Sequence, residues 1–184
     1  MRELYDNVLT VELSTDRPKD DIMRELGDLS LSFGYQIVDT DMEKPWGGFI
    51  RFDTKDAGDF VRNFFPGLDI NEARLGNDAT ELSPKFLLVA PGARLSWQRH
   101  ERRAERWVYL TEGAYHKSLN PDDQGELKLA QPGDVVQFQS GECHRLVGLP
   151  GDKYTLVAEI WQHTDATNPS EEADIERLAD DFNR

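Results

Sequence analysis

Four side chains of metal-binding types are spaced through the second half of this 184-residue chain in a strand-like pattern. In the segment 96–100, alternate residues share a face if it is a β-strand, so Gln98 and His100 point the same way. Glu105 follows after a short arginine-rich turn, and His144 lies on a later predicted strand. Two imidazoles, a carboxylate and an amide oxygen suit Zn or another first-row divalent ion. We therefore predict a metal site at these four residues.

The elements that must position these side chains are mostly strands. From Lys85 onward, short apolar runs alternate with turn signals at near-regular spacing, which predicts a sandwich or barrel. The predicted strands lie near residues 86–90, 107–110, 135–138 and 154–161, with earlier ones at 5–13 and 35–38.

Three helices are expected around these strands. The first follows Pro18 and runs to about Phe33, and the second runs from Ala57 to Phe65 with Asp56 as its cap. A third should begin at Ser170, and its apolar face is formed by Ile175, Leu178 and Phe182.

The bulk composition excludes several classes of partner. The formal net charge is −14, which argues against binding to nucleic acids or anionic membranes, because Lys and Arg supply the affinity there. The single cysteine, Cys143, allows no intrachain disulfide and fits a reducing compartment. The chain has no apolar signal core at its start and no run near the roughly 18 apolar residues that a membrane span needs. We expect a cytoplasmic protein with no nucleic-acid or membrane partner.

The glycines around the predicted ligands carry a resemblance to a known superfamily. Gly92, His100, Glu105 and Gly113 resemble the first cupin motif, with Gln98 where the first His usually stands. A second set resembles the second cupin motif: Gly133, Gly141 and His144. Gln139 and Gly148 replace the usual Pro and Asn of that motif, which affects turn shape more than ligation.

Three further segments narrow this resemblance to the type II phosphomannose isomerase cupins. Pro45-Trp46-Gly47 resembles the opening of that domain, and residues 95–107 resemble its L-S-x-Q-x-H-x-x-R-x-E-x-W signature. Arg106 stands where a His is usual. The ending 172–184 resembles the family's E-x-D-I-x-R-x-x-D-x-Y-G-R, with Phe and Asn replacing Tyr and Gly.

This resemblance implies an all-β cupin core, a double-stranded β-helix or jelly-roll barrel. Peripheral helices are expected at the N-terminus, in an insertion and at the C-terminus. We predict a single domain over 1–184, with an N-terminal extension at 1–41 and the cupin at 42–184, interrupted by an insertion near 49–82. A homodimer is expected by fold analogy alone.

The resemblance also implies a function: a metal-dependent aldose–ketose isomerase acting on a sugar phosphate such as mannose-6-phosphate through an enediol. The implied cofactor is a divalent metal, Zn foremost, with Mn, Fe, Ni or Co also compatible. Such chemistry needs a general base and a cation for the phosphate. Arg103 matches the family's arginine, and Lys85 is a second cationic candidate. For the base we nominate Lys85, Glu159 or His163.

Other interpretations stay open from the sequence. A lone His100 or His144 would more often be an ordinary hydrogen-bonded histidine, and Arg103 could bridge to an acidic neighbour. Lys85 could be a solvated strand residue. Alternative functions are a free-sugar isomerase of the lyxose or mannose type and a non-catalytic, metal-containing sugar-binding cupin. An iron dioxygenase is less favoured, because those sites rely on more histidines.

Overall fold

The structure, a computed structural model that describes residues 3–183, is built on two antiparallel sheets. Its strands are β1 (Ile37–Asp41), β2 (Gly47–Phe52), β3 (Leu82–Val89), β4 (Trp97–Arg99), β5 (Arg103–Tyr109), β6 (Gly113–Ser118), β7 (Lys128–Ala130), β8 (Val135–Phe138), β9 (Cys143–Val147), β10 (Thr155–His163) and β11 (Glu176–Ala179). The larger sheet has the order β1-β2-β3-β10-β5-β8, and the smaller has the order β11-β4-β9-β6-β7. The predicted all-β core is confirmed.

Helices cover the outer face of the larger sheet. They are α1 (Glu3–Val8), α2 (Lys19–Ser32), α3 (Ala57–Phe64) and α4 (Ile70–Ala73), with a 3₁₀ turn at Thr54–Asp56. Ile22 of α2 and Phe60 of α3 belong to the same apolar core as Phe86 of β3 and Ile160 of β10. None of the helices within residues 3–183 combines the length and apolar character needed to cross a bilayer.

Strand alternation gives the larger sheet two chemically different faces. On β10, Leu156, Ala158 and Ile160 pack in the core beneath the helices. Glu159 and Trp161, which alternate with Ala158 and Ile160 along the strand, face the other sheet and line a cleft. The outer face therefore supplies apolar packing, and the inner face can carry polar side chains.

Two predicted elements are wrong. Residues 5–13 hold most of the helix α1 rather than a strand, because Leu4 and Val8 are one helical turn apart and both bury their side chains. The C-terminal segment holds β11 rather than a helix, because Glu176 and Arg177 pair with β4. Within residues 3–183 no helix follows Ser170.

The other predicted helices are confirmed at 19–32 and 57–64. Asp56 stands at the N-cap position of α3 as predicted, but its carboxylate makes no capping hydrogen bond and accepts one from the backbone amide of Gln36 instead. The predicted insertion at 49–82 begins inside β2, which pairs with β3, and the α3 and α4 helices follow it. The division into one domain with these boundaries stays a prediction.

The helix-side core yields a stability prediction. Phe60 is fully buried and contacts the rings of Phe52, Phe64 and Phe86, so Phe60→Ala should lower the free energy of unfolding by about 3–5 kcal/mol. Urea denaturation measures this loss. The control is Phe33→Ala, which removes a ring that is 37% exposed and should change stability by less than about 1 kcal/mol. Equal losses in the two variants would contradict this assignment of the core.

Candidate metal centre

Three of the four predicted ligands form a buried cluster between the two sheets. One ligand atom each from His100, Glu105 and His144 lies within 4.8 Å of the others. His100 Nε2 lies 3.2 Å from Glu105 Oε1, and His144 Nε2 lies 3.1 Å from Glu105 Oε2. Glu105 comes from β5 of the larger sheet, whereas His144 lies on β9 of the smaller sheet and His100 follows β4. The cluster therefore needs both sheets.

Hydrogen bonds orient both imidazoles toward the centre. His100 Nδ1 lies 2.7 Å from the Asp174 carbonyl oxygen, and His144 Nδ1 lies 3.0 Å from that of Glu142. A carbonyl only accepts, so each Nδ1 carries the proton and each Nε2 offers a lone pair. His144 Nε2 is buried without a hydrogen bond, because without a proton it cannot donate to the Glu105 carboxylate 3.1 Å away. Two such lone pairs beside a carboxylate fit a divalent cation, and the carbonyls are the outer partners typical of metal-bound histidines.

The protonation states of the cluster residues also fit the binding of a divalent cation. Burial lowers the pKa of His100 to about 3, which keeps its ring neutral. Burial alone would raise the pKa of Glu105, but contacts with His100, His144 and Arg103 lower it well below its ordinary value. Neutral imidazole and ionised carboxylate are the forms that bind metals.

Gln98 lies beside the cluster, directly opposite His144 in the pairing of β4 with β9. Its Nε2 is 3.4 Å from His100 Nε2, and its Oε1 accepts a hydrogen bond from Ser96 Oγ at 2.6 Å. Rotation of the amide about its last bond would turn the oxygen toward the cluster. The role of Gln98 as the fourth ligand stays a prediction.

Arg103 joins the cluster to the C-terminal segment. Its Nε donates to Glu105 Oε1 at 2.9 Å, and its Nη1 donates to Ser170 Oγ and to the Glu171 carbonyl. The guanidinium also lies 3.6 Å from the centroid of the Trp161 ring. With these contacts, Arg103 positions Glu105 and the C-terminal segment.

A narrow cleft with a cavity volume of about 70 Å³, open to solvent at its mouth, adjoins the cluster. Its aromatic wall includes Trp46, Phe49 and Trp161, and Ser96 and Gln98 lie near the cluster. The charged residues that line it are Lys44, Lys85, Arg103, Arg177, Glu105, Glu159 and Glu172. Four cations around one cleft are notable in a chain whose net charge is −14.

Lys85 and Glu159 are neighbours across β3 and β10 in this cleft. Burial lowers the pKa of Lys85, whose ammonium lies 2.5 Å from a carboxylate oxygen of Glu172. Burial, together with the charge of Glu105, raises the pKa of Glu159 to about 8. Trp107 Nε1 donates to Glu159 Oε1 at 2.8 Å. Both residues were nominated from the sequence, and the structure brings them together.

His163, the third nominated base, does not line the cleft. Its Nδ1 accepts from the backbone amide of Ser170 at 2.9 Å, so its Nε2 carries the proton and donates to Ser83 Oγ at 2.8 Å. Burial lowers the pKa of His163 to about 4. With both nitrogens occupied, this ring anchors the C-terminal segment.

Sequence reasoning missed several residues of the cleft. Glu172 and Arg177 reach it from the C-terminal segment, and Arg177 stands opposite Gln98 across β11 and β4. Because a helix was expected after Ser170, the pairing of β11 with β4 was not predicted. Asp174 was also missed, although its carboxylate accepts from the backbone amides of Glu101 and Arg102 beside the cluster.

Comparison with known proteins identifies structures but no sequence family. The chain matches no protein-family model and no curated protein. Oxalate decarboxylase from Bacillus subtilis at pH 4.6 superposes with a TM-score of 0.51 and 18% identity, over 78% of this chain and 31% of the decarboxylase. A Cupin 2 conserved barrel domain protein from Salinispora arenicola CNS-205 gives a TM-score of 0.45 and 16% identity, over 70% of this chain and 84% of that one. At these identities the likeness concerns the fold alone.

The cluster geometry predicts the effect of removing a ligand. His100→Ala and His144→Ala should each weaken zinc binding by more than roughly 100-fold, because even outer partners of metal ligands are worth 10–100-fold. Zinc per protein, measured by mass spectrometry after dialysis, tests this. His116→Ala is the control, since His116 lies outside the cluster and contacts the Gly125 carbonyl. Full zinc occupancy in either ligand variant would contradict the assignment.

His163 predicts a pH dependence of stability. Its pKa is about 4 in the folded chain against an ordinary value of 6.5, so the unfolded chain takes up the proton at higher pH. The stability contributed by the neutral ring is complete above pH 6.5 and is lost as the pH falls toward 4. The advantage of wild type over His163→Gln in urea unfolding should shrink by on the order of 2 kcal/mol across this window. A difference independent of pH would contradict this reading.

Proposed function

We propose that this chain, which has the cupin fold, is a metal-dependent aldose–ketose isomerase of a sugar phosphate, of the mannose-6-phosphate type. One observation carries the proposal: the His100–Glu105–His144 cluster adjoins, through Glu105, a cleft whose wall holds cationic side chains. Isomerisation through an enediol needs a positive group at the sugar oxygens and a second, separate cation for the phosphate. The cluster and the cleft support both needs.

A divalent ion held by His100, Glu105 and His144, with Gln98 as the expected fourth ligand, would supply Lewis-acid polarisation of the sugar carbonyl. The residues around it have separate roles. Arg103 keeps the Glu105 carboxylate in place through its 2.9 Å hydrogen bond. The carbonyl partners of the two imidazoles hold the rings in one orientation.

The positions of the three nominated residues narrow the choice of general base to one. The Lys85 amine is engaged by Glu172 in a 2.5 Å ion pair, and His163 lies outside the cleft. Glu159 lines the cleft and is fixed by Trp107. We therefore assign Glu159 to proton transfer at the sugar carbon next to the carbonyl, with Trp107 as its positioning residue.

Recognition of the phosphate is assigned to the cations away from the cluster. Most donors of Arg103 are already used by Glu105, Ser170 and Glu171. Lys85 and Arg177 line the same cleft, and none of the ion pairs among residues 3–183 involves Arg177. An arginine without a carboxylate partner can bind a phosphate through two parallel hydrogen bonds.

A free-sugar isomerase is the second candidate, and the charge of the cleft mouth favours it in one respect. Lys44 is paired with Asp41, and Lys85 with Glu172. These pairs reduce the net positive charge that a phosphate would meet. Relative activity on mannose and mannose-6-phosphate separates the two candidates.

The proposed reaction predicts hydrogen exchange with solvent. The zinc-loaded protein, incubated with mannose-6-phosphate in heavy water, should give deuterium at C2 and the corresponding ketose. Glu159→Gln should slow the exchange by about 10²–10⁴-fold, the usual contribution of a general base. Glu126→Gln makes the same change at an exposed position and should leave the rate unaltered.

Mass spectrometry and proton NMR follow the exchange, and zinc content is measured for each variant. Absence of exchange across a panel of sugar phosphates at full zinc occupancy would overturn the proposal. Faster exchange of mannose than of its phosphate would favour the free-sugar isomerase.

A further inference from the structure

We propose that Glu172 is an internal counter-ion that occupies an anion-binding position on Lys85, from which the anionic group of the substrate displaces it. Glu172 would then determine that the ligand of this cleft must carry negative charge. The part that concerns the substrate rests on the proposed function. The anion position itself rests only on the contacts of these two residues.

The burial of the two partners is unequal. The side chain of Lys85 is 4% exposed, whereas that of Glu172 is 49% exposed, and the two are joined by a 2.5 Å contact. The Lys85 ammonium also lies 3.7 Å from the centroid of Trp161 and 4.5 Å from that of Phe49. The two aromatic rings therefore hold the Lys85 ammonium in place, and Glu172 reaches it from the solvent side.

The backbone around Glu172 is held by residues on both sides of it. Ser170 is bound to Arg103 and His163, and the carbonyl of Asp174 accepts from His100. Among residues 3–183, the Glu172 side chain has its one hydrogen bond to Lys85. Its carboxylate can thus leave Lys85 by side-chain rotation while the neighbouring backbone stays bound.

The energetics of a buried ammonium select what can replace Glu172. Removing the partner of a buried charge without replacement is strongly unfavourable. A neutral sugar offers only hydroxyl acceptors, whereas a phosphate brings negative charge and three acceptor oxygens. A phosphate can therefore exchange with the Glu172 carboxylate, and a neutral ligand cannot. The ion pair that lowers the positive charge of the free cleft is, on this view, the source of its selectivity for anions.

The experiment measures inorganic phosphate binding to the zinc-loaded full chain by calorimetry. Glu172→Gln removes the competing charge, so phosphate should bind about tenfold more tightly than to wild type, as expected when a mostly occupied position is freed. Glu172→Asp keeps the charge on a side chain one methylene shorter and should give an intermediate affinity. Lys85→Met should weaken binding strongly, because it removes the cation to which Glu172 and phosphate would both bind.

Glu171→Gln is the matched control. It makes the same change one residue away, on a carboxylate that lies 3.6 Å from Arg102 at the surface, and its phosphate affinity should equal that of wild type. Circular dichroism and urea unfolding establish that each variant is folded. If Glu172→Gln does not fold, the comparison of Glu172→Asp with wild type decides.

Two results would overturn the inference: phosphate affinity that is unchanged or weaker in both Glu172 variants, or undiminished binding to Lys85→Met. These results are separable from failure of the proposed function. Tighter phosphate binding without deuterium exchange into any sugar phosphate would keep the anion position and reject the isomerase. Deuterium exchange with unchanged phosphate affinity in the Glu172 variants would keep the isomerase and reject the anion position.

Discussion

The buried carboxylate of Glu105 is the charge on which the rest of the site depends. An isolated ionised carboxylate is very costly in a protein interior, so it must be paired or bound to a cation. Arg103 and Trp107, two residues before and after it on β5, share its face and both donate to it. His100 and His144 approach it from the other sheet. The charge of Glu105 therefore links the two sheets at the point where a divalent ion fits.

The residues that hold this carboxylate also fix the C-terminal segment. His100 donates to the Asp174 carbonyl, and Arg103 donates to the Glu171 carbonyl. In a helix starting at Ser170, these carbonyls would accept from amides four residues later. Here the side chains of His100 and Arg103 take that place, and β11 then adds to the edge of the smaller sheet. The same contacts that orient the ligands place Glu172 at the mouth of the cleft.

His100 and Glu105 of the buried cluster, and Gln98 beside it, were predictable because their sequence signal is local. Gln98, His100 and Glu105 fall within eight residues, and strand alternation alone places the first two on one face. The C-terminal strand was not predictable in this way. Ile175 and Leu178 have helical spacing, and the carbonyl contacts that override it come from residues more than 65 positions earlier. Arg177 reaches the cleft only through that distant pairing, so sequence reasoning could not assign it.

The larger sheet separates stability from chemistry by its two faces. Along β3, Phe86 and Leu88 pack under the helices, while Lys85 faces the cleft. A buried lysine beside a buried glutamate costs stability, and such polar pairs persist only where packing elsewhere compensates. The aromatic core around Phe60 provides that packing directly behind them. Because the same strands carry both faces, the helix-side core also fixes the spacing of Lys85 and Glu159. Rigid strands of this kind suit a site whose charged side chains are buried.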